Sequence, residues 1–358
     1  MSLVKLLLRI IVAAALVALL LHKHEIPASA VLLRLTQFPL TFFLLALVLD
    51  LIGQTVSAYR WSRVSALSGN AIPFRKAWSI YFAGMFFNTC LPTTIGGDTV
   101  RVVGLSRQTG SKSVAFTSVF MDRNIGMAAL LGLGLFACIV EPVTLQATLN
   151  FVSPDPIVMP LWPVFALLIP AFVLANMVLF SRRVYLRFDH WFFARLPGGI
   201  RTKIAKLHTA LQGYRLPLPA FAWAFLLSLV YQFSEGALVW ILALGLGMKL
   251  SIWVFCAMVM LQAVAGLLPI TINNIGVRDG IFCAVLLGQT VALQQPGDMI
   301  KDEALALAWL YLAIVVVSGL VGGIVYMLAG VTRPTDRDVA ELNNGLKPDE
   351  PVMASAGK

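Results

Sequence analysis

The chain has 358 residues, of which 59% are hydrophobic and 12% charged, with a formal net charge of +10. Soluble domains carry about 45–50% apolar and about 25% charged residues, so this composition excludes a soluble globular protein and implies one embedded in a membrane. Short segments of about ten residues with alternating polarity, the mark of a membrane barrel, are not seen, which leaves an all-α polytopic membrane protein.

Apolar runs at 6–22, 38–59, 78–91, 114–140, 158–180, 219–245, 252–270, 276–293 and 304–329 approach or reach the roughly 20 residues a spanning helix needs. The first follows Lys5 and Arg9. Ala28-Ser29-Ala30 has the small residues of a cleavage site, but His22, Lys23, His24 and Glu25 make the intervening stretch too charged for a signal peptide. The second run carries Asp50 and leads to Arg60, Arg63, Arg75 and Lys76, read as a basic loop. The third breaks up in NTCLPTTIGGDTVRVVGLSRQTG, residues 88–110, where Asn88, Pro92, Gly96, Gly97, Asp98 and Arg101 interrupt the apolar pattern. The helix up to Leu91 has about 14 residues, roughly 20 Å at 1.5 Å per residue, too short for a hydrocarbon core of about 30 Å.

Run 114–140 contains Asp122 and Arg123, and the following loop, 141–157, has Glu141 and Asp155 with no Lys or Arg. Between 181 and 217, Arg182, Arg183, Arg187, Arg195, Arg201, Lys203, Lys206 and Arg215 face a single acid, Asp189. Run 219–245 carries Glu235. Runs 252–270 and 276–293 flank a second break, LPITINNIGVRDG at 268–280, which repeats Leu-Pro, Thr, Ile, Gly and Arg in the order of LPTTIGGDTVR. In the last run Gly319-x-x-x-Gly323 permits close helix packing, within the chain or in a homodimer. The polar tail beyond residue 331 is expected to be disordered.

The positive-inside rule places 181–217 in the cytoplasm and the acidic 141–157 loop outside. Both are satisfied, with a cytoplasmic amino terminus and Arg60–Lys76 loop, if 78–112 dips into the membrane and returns. Nine full spans would strand those basic residues on the outer face. The expected architecture is therefore about six full spans plus two re-entrant helical hairpins in inverted repeats. Repeat A covers about 38–140 and repeat B about 219–330 of a transmembrane domain at 1–331, with the tail at 332–358. Parity alone leaves open whether the second break re-enters or forms two full spans. Transporters built this way bring interrupted helices together at a midplane site.

Irregular backbone is tolerated at membrane depth only where it is buried in protein or lines a polar cavity. The Gly96-Gly97-Asp98 turn, opening a helix, can present N–H groups to an anion such as a phosphate, and Arg101, one turn on, can bind it bidentately. Asp98 is the expected cap and resting partner of Arg101. The competing reading is a purely structural Asp98–Arg101 pair. Asp50 and Glu235, acids within spans, either couple transport to protons or ground Arg101, Arg123 or Arg278. Basic residues beside spans orient the protein and touch anionic lipid, so no nucleic-acid partner is expected. Cys90, Cys138, Cys256 and Cys283 lack C-x-x-C spacing and read as core residues. There is no phosphate-binding G-x-x-x-x-G-K-[ST] loop and no clustered Ser, His and Asp, and the His22 to Glu25 stretch is too sparse for zinc. No catalytic residue, metal or cofactor is expected.

The pattern Asn88, Leu91-Pro92, Gly96-Gly97-Asp98, Arg101, Gly110, Ser118 and Arg123-x-x-Gly126, then Leu268-Pro269 and Gly276-Val277-Arg278, resembles the lysylphosphatidylglycerol synthase transmembrane family, also called the flippase-like domain. Asp279 stands where the family favours Glu, and Asn273-Asn274 where Gly is commoner. The resemblance implies a multi-pass protein of the cell inner membrane that moves or presents lipids or lipid-linked molecules. The residues expected to contact an anionic phospholipid or lipid-linked substrate are Asn88, Pro92, Gly96, Gly97, Asp98, Arg101, Arg123, Pro269, Arg278 and Asp279. The aminoacyl transferase of full-length synthases is a separate soluble domain. Neither 181–217 nor the tail can fold one of about 100 residues, so no enzyme is expected. The alternative is a non-transporting scaffold that recruits a lipid or envelope-synthesis enzyme.

Overall fold

The computed structural model describes parts of 11–22, then residues 27–67, 71–90, 96–141, 146–148, 158–212, 217–266, 274–292 and 298–330. The first predicted run thus lies only partly within the described residues, and Pro92, Pro269 and the 332–358 tail lie outside them. Helices dominate: α1 Ala28–Thr36, α2 Leu40–Ala66, α3 Phe74–Cys90, α4 Gly96–Thr109 and α5 Lys112–Val140. They continue with α6 Trp162–Phe180, α7 Arg182–Trp191, α8 Gly198–Gln212, α9 Leu218–Gly245, α10 Ile252–Ala265, α11 Val277–Ala292 and α12 Asp298–Ala329. Between α5 and α6, β1 Gln146–Thr148 and β2 Val158–Pro160 pair antiparallel, Gln146 opposite Pro160. This ribbon of two three-residue strands leaves the all-α class in place. It occupies part of the acidic loop and delays the next helix to Trp162.

Among the described residues α2, α5, α6, α9 and residues 301–329 of α12 are long and apolar enough to cross a membrane. They correspond to five of the expected spans. The chain is a multi-pass membrane protein. Its outward faces fit a hydrocarbon solvent: Leu40, Leu44, Val48 and Ile52 on α2, Leu167 and Met177 on α6, and Leu320, Ile324 and Met327 on α12 are all exposed. Helix α5 starts at a clean boundary, because Gly110 takes φ 75° and the Ser111 hydroxyl accepts from the Val114 N–H at 3.3 Å. Two expectations are corrected. Helix α2 runs on to Ala66, so Arg60 is a helical residue only 4% exposed and not part of a loop. The basic 181–217 stretch contains α7, a 3₁₀ turn and α8, tied by Asp189 to Arg201 at 2.7 Å.

Small residues set the packing. Helices α2 and α9 run antiparallel, with Gln54 facing Tyr231 and Asp50 facing Glu235, and they approach so closely that a Cβ on Gly53 would stand 2.7 Å from Ser234 Oγ. Helices α3 and α12 do the same: Gly322 lies on the Phe82 carbonyl and Gly323 on the Phe86 ring. The Gly319-x-x-x-Gly323 motif is thus used within the chain. Helix α4 folds back on α3 through Gly84 and Gly97, and the Gly97 N–H donates to Asn88 Oδ1 at 2.7 Å. Helices α10 and α11, of 14 and 16 residues, flank the second break. There Asn274 and Gly276 take φ of 56° and 85°, left-handed values that asparagine and glycine adopt most readily. The main apolar core joins α5, α9, α10, α11 and α12 around Phe255, Phe282, Leu242 and Ile314.

Candidate functional site

A cavity of about 430 Å³ lies among α2, α3, α4, α5, α9, α10 and α12. It has two chemically distinct ends, both carried by α2: Asp50 and Arg60 are ten residues, or about 15 Å, apart.

The basic end is a chain of alternating charges. Arg60 Nε donates to Asp122 Oδ1 at 2.8 Å, and its Nη1 to Ser228 Oγ at 2.7 Å. The other oxygen of Asp122 accepts from Arg101 Nη2 at 2.6 Å. Arg101 stands 3.6 Å from Asp98, which Arg123 grips through Nε at 2.9 Å and Nη2 at 3.0 Å. Three arginines against two aspartates leave one net positive charge. Arg60, Arg101 and Asp122 are 4%, 6% and 1% exposed, whereas the Arg123 side chain keeps 51% of its surface open. Burial of such ions is tolerated because each meets an opposite charge. The Trp61 and Tyr81 rings hold the Arg101 guanidinium 4.5 and 4.8 Å from their centroids, which adds cation–π attraction and fixes its plane. Arg101 Nε is buried without a hydrogen-bond partner. A donor left unpaired inside protein costs free energy that an acceptor oxygen placed beside it would offset.

The acidic end holds Asp50 and Glu235, whose carboxyl groups share the Gln54 Nε2 donor across the α2/α9 crossing. Gln54 Nε2 donates to Asp50 Oδ1 at 3.1 Å and to Tyr231 Oη at 3.3 Å. Tyr311 Oη donates to Glu235 Oε2 at 3.2 Å, and the Ser318 hydroxyl donates to Asp50 Oδ2.

Asn88, Asp98, Arg101, Arg123, Asp50 and Glu235 therefore line one cavity. Gly96 and Gly97 open α4 beside it, but the Gly97 N–H is taken by Asn88 rather than offered to a ligand. Asp98 sits in the first turn of α4 with its carboxylate turned to Arg123 and Arg101. The two span acids ground none of the arginines. Arg278 and Asp279 are 2% and 0% exposed and bind each other at 3.0 Å, with Asp279 also accepting from the Gly276 N–H at 2.8 Å. They do not line the cavity.

Sequence reasoning did not assign Arg60, Asp122, Gln54, Tyr231, Tyr311 or Ser318 to the site. Helical spacing carried part of the signal: Gln54 lies four residues after Asp50 and Tyr231 four before Glu235, so each shares its acid's face. No curated protein sequence matches the chain. The sequence model of the lysylphosphatidylglycerol synthase TM region matches residues 6–296, and the chain belongs to that family.

Proposed function

We propose that this protein moves a membrane lipid or lipid-linked molecule across the bilayer, holding its anionic head group in the cavity at mid-depth. The observation that carries this reading is the net-positive arginine chain facing a 430 Å³ cavity, with the Arg101 Nε unpartnered, inside a bundle of apolar spans. A head group crossing bare hydrocarbon loses hydration worth many kcal/mol, and fixed guanidinium donors replace much of it. Arg101 and Arg123 are the head-group ligands. Asp122 holds Arg101 in place and Asn88 closes the α3/α4 turn. The protein needs no catalytic group for this work, and its partner is the lipid itself.

The α3/α4 and α10/α11 pairs act as two re-entrant hairpins in inverted repeats. Several packing relations support this. Helix α3 packs on α12 as α10 packs on α5, α4 on α5 as α11 on α12, and α2 on α3 as α9 on α10, while α2 and α9 face each other antiparallel. Exchanging the two halves reproduces these neighbours, as an inverted repeat requires. The domain then comprises 1–331, with both termini cytoplasmic in the inner membrane. A scaffold recruiting a lipid-synthesis enzyme needs no such cavity; a dry, packed interior would serve it better. Native mass spectrometry of the purified protein tests the reading. A co-purifying phosphate-bearing lipid, lost on Arg101→Gln, is the expected result, and a protein that retains the same lipid in that variant would contradict it.

A further inference from the structure

We infer that Asp50 and Glu235 together hold one exchangeable proton, and that this proton is the coupling ion of the transport cycle. The coupling rests on the transport reading above; the proton site does not.

The pair is buried, 5% and 7% exposed, and one donor holds the two carboxyl groups together, Gln54 Nε2 reaching Asp50 Oδ1 at 3.1 Å and Glu235 Oε1 at 3.5 Å. Two carboxylates gathered on one donor in a low-dielectric site repel each other strongly, and a single proton held by the pair removes that repulsion. Nothing cationic relieves that repulsion: among the described residues no Lys or Arg pairs with either acid. The groups facing the pair are neutral on every element packed around it. Helix α2 gives Gln54, α9 gives Tyr231, and α12 gives Tyr311 and Ser318. Behind these stand Gln262 of α10 against Tyr311 and Tyr81 of α3 near Tyr231. Among the described residues, Arg278 of α11 stands near Tyr311, and Asp279 pairs with it at 3.0 Å.

Exchange is open because both acids line the cavity. Release breaks the O–H bond, leaves two carboxylates and passes the proton to cavity water. The two anions would then sit beside the close approach of α2 and α9 where Gly53 meets Ser234. Separation of the helices is the available relief. Movement there reaches the arginine chain, since the same pair of helices is joined further along by Arg60 and Ser228, and Arg60 shares Asp122 with Arg101. Proton occupancy at one end of the cavity thus biases the anion site at the other.

Infrared difference spectroscopy on the full chain in detergent, without added lipid, reads the site itself. A carboxylic-acid carbonyl band should be present in the wild type, disappear as pH rises, and be lost in Asp50→Asn and in Glu235→Gln. It should persist in Asp98→Asn. Absence of the band, or its survival in both acid variants, overturns the proton site. Loss of the band on adding sodium at constant pH would instead make this a metal-cation site, also against the inference. Should either variant fail to fold, the wild-type titration still decides. In proteoliposomes, a pH gradient should change the wild-type rate of lipid movement and leave the rate of each acid variant unchanged. An unaltered gradient response in both variants overturns the coupling. A wild type that moves no lipid removes the transport reading and the coupling with it, while the band separately decides the proton site.

Discussion

Arg101 is held by Asp122 at 2.6 Å, from the next long helix, and only at 3.6 Å by Asp98, its neighbour three residues back. The i,i+3 pair suggested by the sequence is therefore the weaker of the two. Asp122 is shared with Arg60, so one buried carboxylate fixes three helices, α2, α4 and α5, around the cavity.

The first consequence is a rank order of stability. Asp122→Asn leaves Arg60 and Arg101 without their close partner and is expected to cost about 3–5 kcal/mol, the usual penalty for orphaning a buried charge. Asp98, with 24% of its side chain exposed, is expected to cost clearly less on Asp98→Asn, because water screens the arginines left behind. Thermal unfolding in detergent checks the order. Equal melting temperatures for the two variants would remove Asp122 from its structural role.

Glycine contacts give a second test, independent of charge. A side chain at Gly322 would collide with the Phe82 carbonyl, so Gly322→Leu should destabilise by at least the ~1–3 kcal/mol of an overpacked core. Gly280 on α11 has open space where a Cβ would go, so Gly280→Ala should be neutral or stabilise by up to about 1 kcal/mol. Melting curves that place Gly322→Leu at wild-type stability would deny the close α3/α12 packing.

Much of this was legible in the sequence, and the remainder was not for definite reasons. Five of the spans were readable because apolar length is a direct demand of the bilayer. Both breaks were readable because proline and glycine interrupt an otherwise continuous run. Arg60 was misplaced because a charge near the end of an apolar run looks like the start of a loop; the Asp122 carboxylate, 62 residues away, and the Ser228 hydroxyl let it remain inside. Arg278 matched the motif of Arg101 yet is spent on Asp279, its immediate neighbour. A local motif cannot reveal which partner a long side chain will reach, and the meeting of Asp50 with Glu235 depends wholly on the α2/α9 crossing.

The proposed hairpin topology makes a third prediction. Cysteines introduced at Arg63 and Lys203 should share one side of the membrane and, with the basic stretches inside, react only with permeant reagents in intact cells. Labelling of Arg63→Cys by an impermeant reagent would restore nine full spans.

The central claim is that Arg101 binds the lipid anion, and lipid transfer in vesicles by Arg101→Lys tests it most directly. Lysine keeps the charge for Asp122 but loses the planar fork and the Nε donor that faces no partner. The expected result is a protein that melts close to the wild type yet moves lipid at least about tenfold more slowly, the equivalent of losing one hydrogen bond to a charged group at ~1.5–3 kcal/mol. A variant that transfers lipid at the wild-type rate would show that Arg101 only braces the fold, and the assignment of the cavity as a head-group site would fail.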